Sequence, residues 1–317
     1  MKILVTGASG FVGGRFTSRF RGRPGLSLHG VGRRPLTDAD YTALDLAEPF
    51  DLPFTPDVVV HAAARATPWA RRQDYERDNV ATTRQVISFC ERSGLPRLVY
   101  VSSSSVFYRA GHQFGLTEAS PIGPRFANDY AATKHAGELL VRRYSGQSVI
   151  VRPRAVFGPG DTVLFPRILA AARAGRLPLL TTSGPPAIGD LIYIDTLVDY
   201  LLAIATRSTV ADAYNLTNNQ PVVIQDFLVD VFRRLGLPTP TRRVSARTAM
   251  AVAAATEAFY RLLGLAGEPP ITRFGVGVLA WSKTFDVGRA LADLGPPSVS
   301  LAEGVDAFVR WQREQPS

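Results

Sequence analysis

The stretch MKILVTGASGFVGG, residues 1–14, decides the fold of this chain. Residues 3–5 form a short apolar run that predicts a buried strand, and an apolar helix pattern opens a few positions later. Between them stand Gly7, Gly10 and Gly13. In a strand–turn–helix unit the first glycine permits the tight turn, the second lets backbone N–H groups approach a pyrophosphate, and the third lets the helix pack on its strand. The stretch therefore predicts a dinucleotide site at the helix N-terminus.

A glycine triplet can also be no more than a tight loop between a strand and a helix. Here the triplet follows directly on an apolar strand, and Phe11 and Val12 stand between its last two glycines, where the helix opens. This placement favours the cofactor interpretation. The three glycines, Phe11 and Val12 are therefore the first candidate cofactor contacts.

The length and composition are those of an ordinary globular protein. With 317 residues, 46% of them hydrophobic, the chain can bury one large core or a core and a smaller lobe. The sequence shows neither a signal peptide nor an apolar run of about 18 residues, so we expect a cytoplasmic protein. The single cysteine, Cys90, lies in an apolar pattern and is predicted to be a packed thiol in a reducing compartment. His61 has no partners at metal-ligand spacing and is predicted to be structural, so no metal is expected.

The formal net charge of +9 raises the question of a nucleic-acid partner. The basic residues are scattered in pairs rather than massed, and no nucleic-acid motif accompanies them. Net charge by itself bears on solubility and nonspecific attraction. We therefore expect no nucleic-acid partner.

Residues 26–32 predict the second strand, which ends at Arg33 and Arg34. A dinucleotide enzyme that uses NAD usually carries an acid here, about 20 residues after the last glycine, for the ribose 2′-hydroxyl. This chain has no acid before Asp38. Two guanidinium groups suit a 2′-phosphate, which a carboxylate would repel. The sequence therefore predicts NADP(H) in preference to NAD(H), unless both arginines merely point into solvent.

Later segments are predicted to border the cofactor or the substrate. Residues 43–46 predict a short strand, and residues 57–64 predict a buried parallel strand. The small residues Ala62, Ala63 and Ala64 at its end would let a cofactor pass close by. Helical periodicity follows over residues 74–94, and residues 97–107 predict a strand that runs into four serines at its C-terminal end, where open α/β sheets bind ligands.

The strongest catalytic pattern is YAATK, in which Tyr130 and Lys134 are four residues apart and so share one helix face. A free phenol, with a pKa of about 10, is a poor acid–base group at neutral pH, but a nearby ammonium favours the phenolate and lowers that pKa. A serine hydroxyl at the strand end can hold a substrate carbonyl oxygen beside the phenol. Together with the glycine turn and the serine strand, the pattern indicates a Ser-Tyr-Lys site.

The glycine turn, the serine strand and YAATK together resemble the extended short-chain dehydrogenase/reductase superfamily, over essentially the whole chain. The resemblance implies that Asp45 holds the adenine amino group, with Leu46 beside it, and that Asn79 helps to hold the active site. It implies that Lys134 binds the nicotinamide ribose, and it places Pro153 near the nicotinamide ring.

The same resemblance identifies the catalytic serine. In the superfamily this residue lies three positions before the valine of a Val-Tyr or Val-Phe pair, here residues 106–107. That position is Ser103, with Ser104 as the alternative. Sugar-nucleotide 4,6-dehydratases have Asp-Glu directly after it, where this chain has Ser104 and Ser105, which argues against dehydration.

Two further features narrow the subgroup. Sugar-nucleotide epimerases usually have a diphosphate-binding arginine where this chain has Gly189. Residues 244–265 form a long, alanine-rich apolar helix, and this tail resembles the 3β-hydroxysteroid dehydrogenase-like group, which includes sterol-4-carboxylate dehydrogenases and bacterial reductases of long-chain β-keto acids. Arg247, Glu257 and Arg261 interrupt the apolar helix, so a core or pocket-lid role is favoured over membrane contact.

The sequence thus predicts an α/β fold: a doubly wound parallel sheet of about seven strands with a smaller C-terminal substrate lobe. The dinucleotide-binding domain is predicted to span residues 1–152, with 188–206 returning to it, and the lobe to comprise residues 153–187 and 207–317. The predicted activity is NADP(H)-dependent interconversion of a ketone and a secondary alcohol on an apolar small molecule, either steroid-like or a long-chain β-keto compound. The resemblance is also compatible with a homodimer.

Two alternatives stay open at this point. A sugar-nucleotide epimerase or 4-ketoreductase would share every cofactor residue, although Gly189 and the apolar segment 244–265 disfavour it. A noncatalytic NADPH-binding module would belong to another class. Such proteins typically lose the tyrosine or the lysine, whereas this chain keeps Ser103, Tyr130 and Lys134.

Overall fold

The computed structural model describes residues 1–315 and centres on one parallel sheet with helices on both faces. The strands are β1 (Lys2–Thr6), β2 (Ser27–Gly32), β3 (Tyr41–Ala43), β4 (Val58–His61), β5 (Arg97–Val101), β6 (Gln113–Leu116), β7 (Ser148–Pro153), β8 (Val156–Phe157), β9 (Leu179–Thr181), β10 (Ile188–Gly189), β11 (Ile192–Tyr193), β12 (Ala213–Leu216), β13 (Val222–Val223), β14 (Arg243–Ser245) and β15 (Lys283–Phe285). The helices are α1 (Phe11–Phe20), α2 (Arg72–Tyr75), α3 (Thr82–Arg92), α4 (Asp129–Val141), α5 (Phe165–Arg173), α6 (Ile194–Thr206), α7 (Ile224–Arg234), α8 (Ala246–Leu262), α9 (Arg273–Ala280), α10 (Gly288–Leu294) and α11 (Leu301–Glu314).

The large sheet has seven parallel strands in the order β12-β7-β5-β4-β1-β2-β3. Successive residues of each central strand pack on opposite faces: Val5 and Val99 belong to the cluster on one side, and Leu4 and Leu98 to the cluster on the other. The strand order reverses between β1 and β4, and a doubly wound sheet binds ligands at such a point, beyond the carboxyl ends of its strands. The predicted doubly wound fold is confirmed.

The smaller lobe carries a four-stranded sheet in the order β13-β10-β15-β6, and two-stranded pairs β8–β11 and β9–β14. Its helices α8 and α9 pack on each other around a small cluster that includes Ala249, Ala253 and Val276. The large cluster of the main sheet continues into the lobe through residues such as Phe157 and Phe285, so the two parts share one core.

Two of the predicted domain boundaries differ from the structure. Residues 207–317 were assigned to the lobe, but Ala213–Leu216 are fully buried and form β12, the edge strand of the large sheet beside β7. Residues 188–206 were assigned to the main domain, but Ile188–Gly189 pair with the lobe strands β13 and β15. Short strands carry too little pattern to reveal which sheet they join, because pairing is decided by tertiary contacts.

The predicted strand over residues 43–46 also differs. Strand β3 is Tyr41–Ala43 and pairs with β2, so it ends where the prediction began. Leu46 lies beyond the strand and is buried in the core cluster on the α3 face of the sheet. The apolar side chains at 44 and 46 reflect packing against that cluster rather than strand alternation.

Candidate active site

The glycine corner is packed too tightly for any side chain. Gly7 has a left-handed φ of +70°, and a Cβ there would lie 2.8 Å from the Cα of Ala63. A Cβ on Gly13 would lie 2.5 Å from the carbonyl oxygen of Gly7. Ala62 and Ala63, which directly follow β4, therefore lie against the turn.

The N-terminus of α1 is free to bind an anion. Gly10 is its N-cap residue and provides no side-chain hydrogen bond to the first turn, and the first turn contains no acid. Phe11 and Val12 are half-buried in that turn. Unsatisfied N–H groups and the helix dipole favour a phosphate at such a position. Together with the close approach of Gly7 and Ala63, this corner fits a dinucleotide pyrophosphate.

A cluster of arginines stands beyond the end of β2. Arg33 lies 3.2 Å from the buried carboxylate of Asp78, which also pairs with Arg65 at 2.7 Å and Arg77 at 3.2 Å. Arg77 pairs in addition with Asp45 at 2.5 Å. Arg77 is thus shared between Asp78 and Asp45, so that Arg33 and Arg65 share the one buried carboxylate of Asp78.

The neighbouring Arg34 is exposed and is held by its backbone, because the hydroxyl of Tyr41 donates to its carbonyl oxygen at 2.5 Å. Asp45 is occupied as well: it accepts a hydrogen bond from the backbone N–H of Ala47 at 3.0 Å in addition to its contact with Arg77. Burial would raise the pKa of Asp45, but the hydrogen bonds from Arg77 and Ala47 lower it, so the carboxylate is ionised at neutral pH.

Tyr130 lies in the first turn of α4 and faces the serine end of β5. Burial raises the pKa of its phenol, and a side-chain hydrogen bond with Ser103 opposes that rise. Ser103 is half-buried and caps the short 3₁₀ turn Ser104–Phe107, accepting from the backbone N–H of Ser105 at 3.2 Å. Ser104 is buried and its hydroxyl lies 3.3 Å from that of Tyr108. Ser104 is thus engaged with Tyr108, whereas Ser103 is the serine that lowers the pKa of Tyr130 against the effect of burial.

Lys134 lies one turn further along α4 and is almost fully buried. Its ammonium stands 4.2 Å from the ring centroid of Tyr100. Burial lowers its pKa to about 7, and the carboxylate of Glu138 opposes this shift. The sequence predicts that Lys134 lowers the pKa of Tyr130. In the structure burial dominates that phenol, and the ammonium interacts with Tyr100 instead.

Asn79 connects helix α4 to the loop after β4. It lies in a π-helical turn, Glu76–Ala81, and its side-chain N–H donates to the hydroxyl of Thr133 at 3.0 Å. Its side-chain oxygen accepts from the backbone N–H of Arg65 at 2.7 Å. Thr133 lies between Tyr130 and Lys134 on α4, so Asn79 ties the helix to the cofactor side of the cleft. Such turns often occur at functional positions.

His61 is satisfied on both ring nitrogens. Its Nδ1 lies 2.7 Å from the hydroxyl of Thr6, and its Nε2 lies 3.0 Å from that of Thr83. Burial and the charge of Lys134 lower its pKa to about 3. These contacts support the predicted structural role. Across residues 1–315 there is no group of three or more potential metal-ligating side chains.

Sequence reasoning missed a buried ion pair beneath the catalytic helix. The guanidinium of Arg152 lies 2.7 Å from the carboxylate of Glu138, and both side chains are inaccessible to solvent. The hydroxyl of Ser102, next to the catalytic serine, donates to the same carboxylate at 2.6 Å. This pair joins α4, β7 and the end of β5 below the site. Its only sequence signal is a charge inside the apolar strand that ends at Pro153.

Comparisons with known proteins identify the family of this chain. The model of the NAD dependent epimerase/dehydratase family matches residues 3–217. The chain belongs to this family. A 2-alkyl-3-oxoalkanoate reductase of Stenotrophomonas maltophilia is 34% identical, over 96% of this chain and 97% of that protein. A 3beta-hydroxysteroid-dehydrogenase/decarboxylase of Arabidopsis thaliana is 32% identical, over 78% of this chain and 60% of that protein.

Similarity to these relatives places this protein in the 3β-hydroxysteroid dehydrogenase-like group of extended short-chain dehydrogenase/reductases, as predicted. A third relative, a sterol-4-alpha-carboxylate 3-dehydrogenase of Saccharomyces cerevisiae, is 26% identical over 98% of both chains. The activities in these names are oxidoreductions of ketones or alcohols, which confirms the predicted enzyme class.

Solved structures share the fold of this family member. MoeE5 in complex with UDP-glucose and NAD superimposes with a TM-score of 0.73 at 24% identity, covering 99% of both chains. UDP-glucuronic acid 4-epimerase from Bacillus cereus in complex with NAD gives a TM-score of 0.73 at 20% identity, covering 99% of this chain and 100% of the other. Within residues 1–315, no helix is both long enough and apolar enough to cross a membrane.

Proposed function

We propose that this protein is an NADP(H)-dependent ketoreductase that acts on an apolar substrate with a ketone near a carboxyl group, by a Ser-Tyr-Lys mechanism. The observation that carries the proposal is the placement of Tyr130 and Lys134 on α4, which packs against the short turn that Ser103 caps, at the same edge of the large sheet as the Gly7–Gly13 turn. The name of the Stenotrophomonas relative, a 2-alkyl-3-oxoalkanoate reductase, supports this substrate class.

The cofactor corner and the catalytic residues have separate tasks. A nicotinamide dinucleotide bound at the glycine corner would supply the hydride for the carbonyl carbon. Tyr130 keeps its proton at neutral pH because burial raises its pKa, and a protonated phenol is the form that carbonyl reduction requires. Ser103 donates a hydrogen bond to the same carbonyl oxygen, so that the developing negative charge is met by two O–H donors.

Lys134 and Asn79 support this pair. With a pKa of about 7, Lys134 can take up and release a proton near neutral pH, which suits a group that restores the proton of Tyr130 after each turnover. Asn79 holds Thr133 and thereby the register of α4. Pro153, the buried last residue of β7, is the residue that the family resemblance places near the nicotinamide ring.

Aromatic contacts from the lobe support an apolar substrate. Phe274 of α9 stacks on Tyr108, with ring centroids 6.1 Å apart, and Tyr108 contacts Ser104. Arg261 of α8 lies 4.8 Å from the ring centroid of Trp69, in the loop after β4. Helices α8 and α9 therefore add apolar surface beside Tyr108 and Trp69, which suits an apolar substrate.

A small panel tests this function. Purified protein and NADPH are incubated with a long-chain β-keto ester, a 3-ketosteroid and a nucleotide 4-keto-sugar, and NADPH oxidation is followed. We expect turnover of the β-keto ester above that of the other two. Turnover of the sugar alone would assign the protein to the epimerase or 4-ketoreductase alternative, and no turnover with any ketone would favour a noncatalytic NADPH-binding module.

The preference for NADP(H) rests on the arginine cluster. Arg33→Ala removes the guanidinium next to the predicted 2′-phosphate position, and we expect KM for NADPH to rise about tenfold or more while KM for NADH stays constant. Arg242→Ala, at an exposed position in the lobe, controls for the loss of charge. A wild-type enzyme that prefers NADH would contradict the assignment.

The proposal extends to location and assembly. Burial raises the pKa of the Cys90 thiol to about 12, so the thiol is inert, which is compatible with a reducing cytoplasm. A homodimer is expected from the family resemblance. Light scattering during gel filtration should therefore give about twice the chain mass of 34.4 kDa, and the chain mass itself would indicate a monomer.

A further inference from the structure

A second group of charged side chains lies behind the catalytic serines, at the junction of the main sheet and the lobe. Arg154, which follows β7, is only 5% exposed, and Lys283 of β15 is 3% exposed. Both cations lie over the ring of Tyr108, Arg154 at 5.3 Å and Lys283 at 5.8 Å from its centroid. The other end of Tyr108, its hydroxyl, is 3.3 Å from that of Ser104. Tyr108 thus connects this cluster to Ser104, which directly follows Ser103.

The cluster contains polar atoms without partners. The Nε of Arg154 and the Oδ1 of Asp190 are buried and make no hydrogen bond among the described residues. The other oxygen of Asp190 accepts from the backbone N–H of Phe285 at 2.9 Å. Buried polar groups in native proteins nearly always have a partner, so an unpartnered guanidinium nitrogen beside the active site points to a ligand.

The charges of the cluster do not balance. Burial raises the pKa of Asp190 to about 6, opposed by the N–H of Phe285 and the charge of Arg154. Burial and the charge of Arg154 lower the pKa of Lys283 to about 8. At pH 7 the cluster therefore holds two cations against one carboxylate. A buried excess positive charge is costly unless an anion compensates it.

Arg154 lies next to Gly189. A Cβ at position 189 would lie 3.4 Å from a terminal nitrogen of Arg154, which is an ordinary van der Waals distance, so the guanidinium borders the glycine. The sequence predicts that an anion-binding arginine is lost at position 189. In the structure an arginine from the end of β7 covers that position instead.

We propose that Arg154 binds the anionic group of the substrate, with Lys283 supplying a second positive charge and Tyr108 setting the distance to Ser103 and Tyr130. This inference rests on the proposed ketoreductase function and deepens it. The anion is the carboxylate of a 3-oxo acid or, if the substrate is a nucleotide sugar, its diphosphate. The amine of Lys283 donates to the backbone oxygen of Arg109 at 3.0 Å and also to that of Gly111, so it holds the loop after Tyr108 while it contributes charge.

The test uses a stable acid and its neutral ester. A long-chain 3-hydroxy acid and its methyl ester are oxidised with NADP⁺ by the wild-type protein, by Arg154→Gln and by the exposed control Arg242→Gln. We expect Arg154→Gln to raise KM for the acid about 10- to 100-fold and to leave KM for the ester within about twofold. Arg154→Lys should restore part of the affinity for the acid. An equal loss for acid and ester would mean a structural role and would overturn the proposal, as would no loss at all.

A binding measurement separates this proposal from the proposed function. Calorimetric titration with the 3-hydroxy acid and with UDP is carried out on the wild-type protein and on Arg154→Gln, without turnover. Binding of the acid that is lost in the variant supports the carboxylate, and binding of UDP alone that is lost in the variant supports the diphosphate, even if no ketone is reduced. If neither ligand depends on Arg154, the anion site is refuted whether or not the enzyme reduces ketones.

Discussion

Two regions of the molecule differ in how tightly they are packed: helix α8 of the lobe and the catalytic edge, by which we mean the C-terminal edge of the large sheet with Gly7, Gly13, Ser103 and Tyr130. At the edge, Gly7 and Gly13 allow backbone to touch backbone, and below it Arg152 and Glu138 form a fully buried pair. Of the residues in α8, only Ala249, Ala253 and Glu257 are buried, and Leu262 at its end is 84% exposed. At the edge, a Cβ on Gly7 or Gly13 would collide with backbone atoms, whereas α8 packs on the lobe through one narrow stripe of buried residues.

The largest difference between the two regions is expected for their ion pairs. Arg152→Met leaves the carboxylate of Glu138 buried without its partner, and we expect the free energy of unfolding to fall by about 3–5 kcal/mol. Arg261→Met removes an exposed guanidinium 3.9 Å from Glu257 and should cost less than about 1 kcal/mol. Urea unfolding of both variants measures the contrast. Equal losses would contradict it.

The stability of the protein at acid pH tests the buried ion pair of Glu138 and Arg152 in a second way. Burial would raise the pKa of Glu138, but the hydrogen bonds and charge of Arg152 and the hydrogen bond from Ser102 lower it to about 2. The stability that this carboxylate contributes is therefore complete above about pH 4.5 and is lost as the pH falls toward 2. In Glu138→Gln this part of the pH dependence should be absent. Unfolding curves between pH 5 and pH 2.5 compare the two proteins, and parallel slopes would refute the assignment.

Two glycines with similar φ angles, Gly7 and Gly264, allow the cost of tight packing to be measured separately from the cost of a left-handed backbone. Gly7 (φ +70°) lies against Ala63, whereas a Cβ added to Gly264 (φ +59°), just after α8, would meet nothing within 4 Å. Both substitutions to alanine carry a left-handed backbone cost of about 1 kcal/mol, and Gly7→Ala adds a collision worth about 1–3 kcal/mol. Only Gly7→Ala should also weaken NADPH binding. Equal behaviour of the two variants would show that Gly7 is only a turn.

The smallest effects are expected on the outer face of α8. Leu262→Ser changes an exposed side chain and should shift the free energy of unfolding by about 0.5 kcal/mol or less. Ala253→Leu, on the buried stripe of the same helix, should cost about 1–3 kcal/mol through overpacking. Thermal melting of the two variants tests the position of the stripe. A destabilising Leu262→Ser would mean that the outer face has a partner in solution.

The fold of this edge can be predicted from the sequence because its requirements are local. Gly7, Gly13 and the Tyr130–Lys134 spacing are imposed by one turn and one helix, so their pattern is visible in a few consecutive letters. The seven-stranded parallel sheet follows from the same apolar runs. The sequence did not predict where β3 begins and ends, or which sheet β10 and β12 join. Strands of two to four residues are fixed by the strands that pair with them.

The charged residues of the site were harder to predict. Arg152 and Glu138 are 14 residues apart on different elements, and their pairing is visible only once α4 lies on β7. Arg154 gave no signal either, because its relation to Gly189 depends on how the end of β7 meets the lobe. The pKa of Tyr130 was predicted to fall and is raised instead, since burial is a property of the folded molecule.

The central claim is that Tyr130 donates the proton to a substrate carbonyl. Steady-state NADPH oxidation with a long-chain β-keto ester is compared for the wild-type protein, Tyr130→Phe and Tyr200→Phe, which removes a hydroxyl that donates to Gly295 far from the site. We predict that Tyr130→Phe lowers kcat by about 10³-fold or more while the dissociation constant for NADPH stays within about threefold, and that Tyr200→Phe keeps wild-type kcat. Wild-type turnover by Tyr130→Phe would contradict the account.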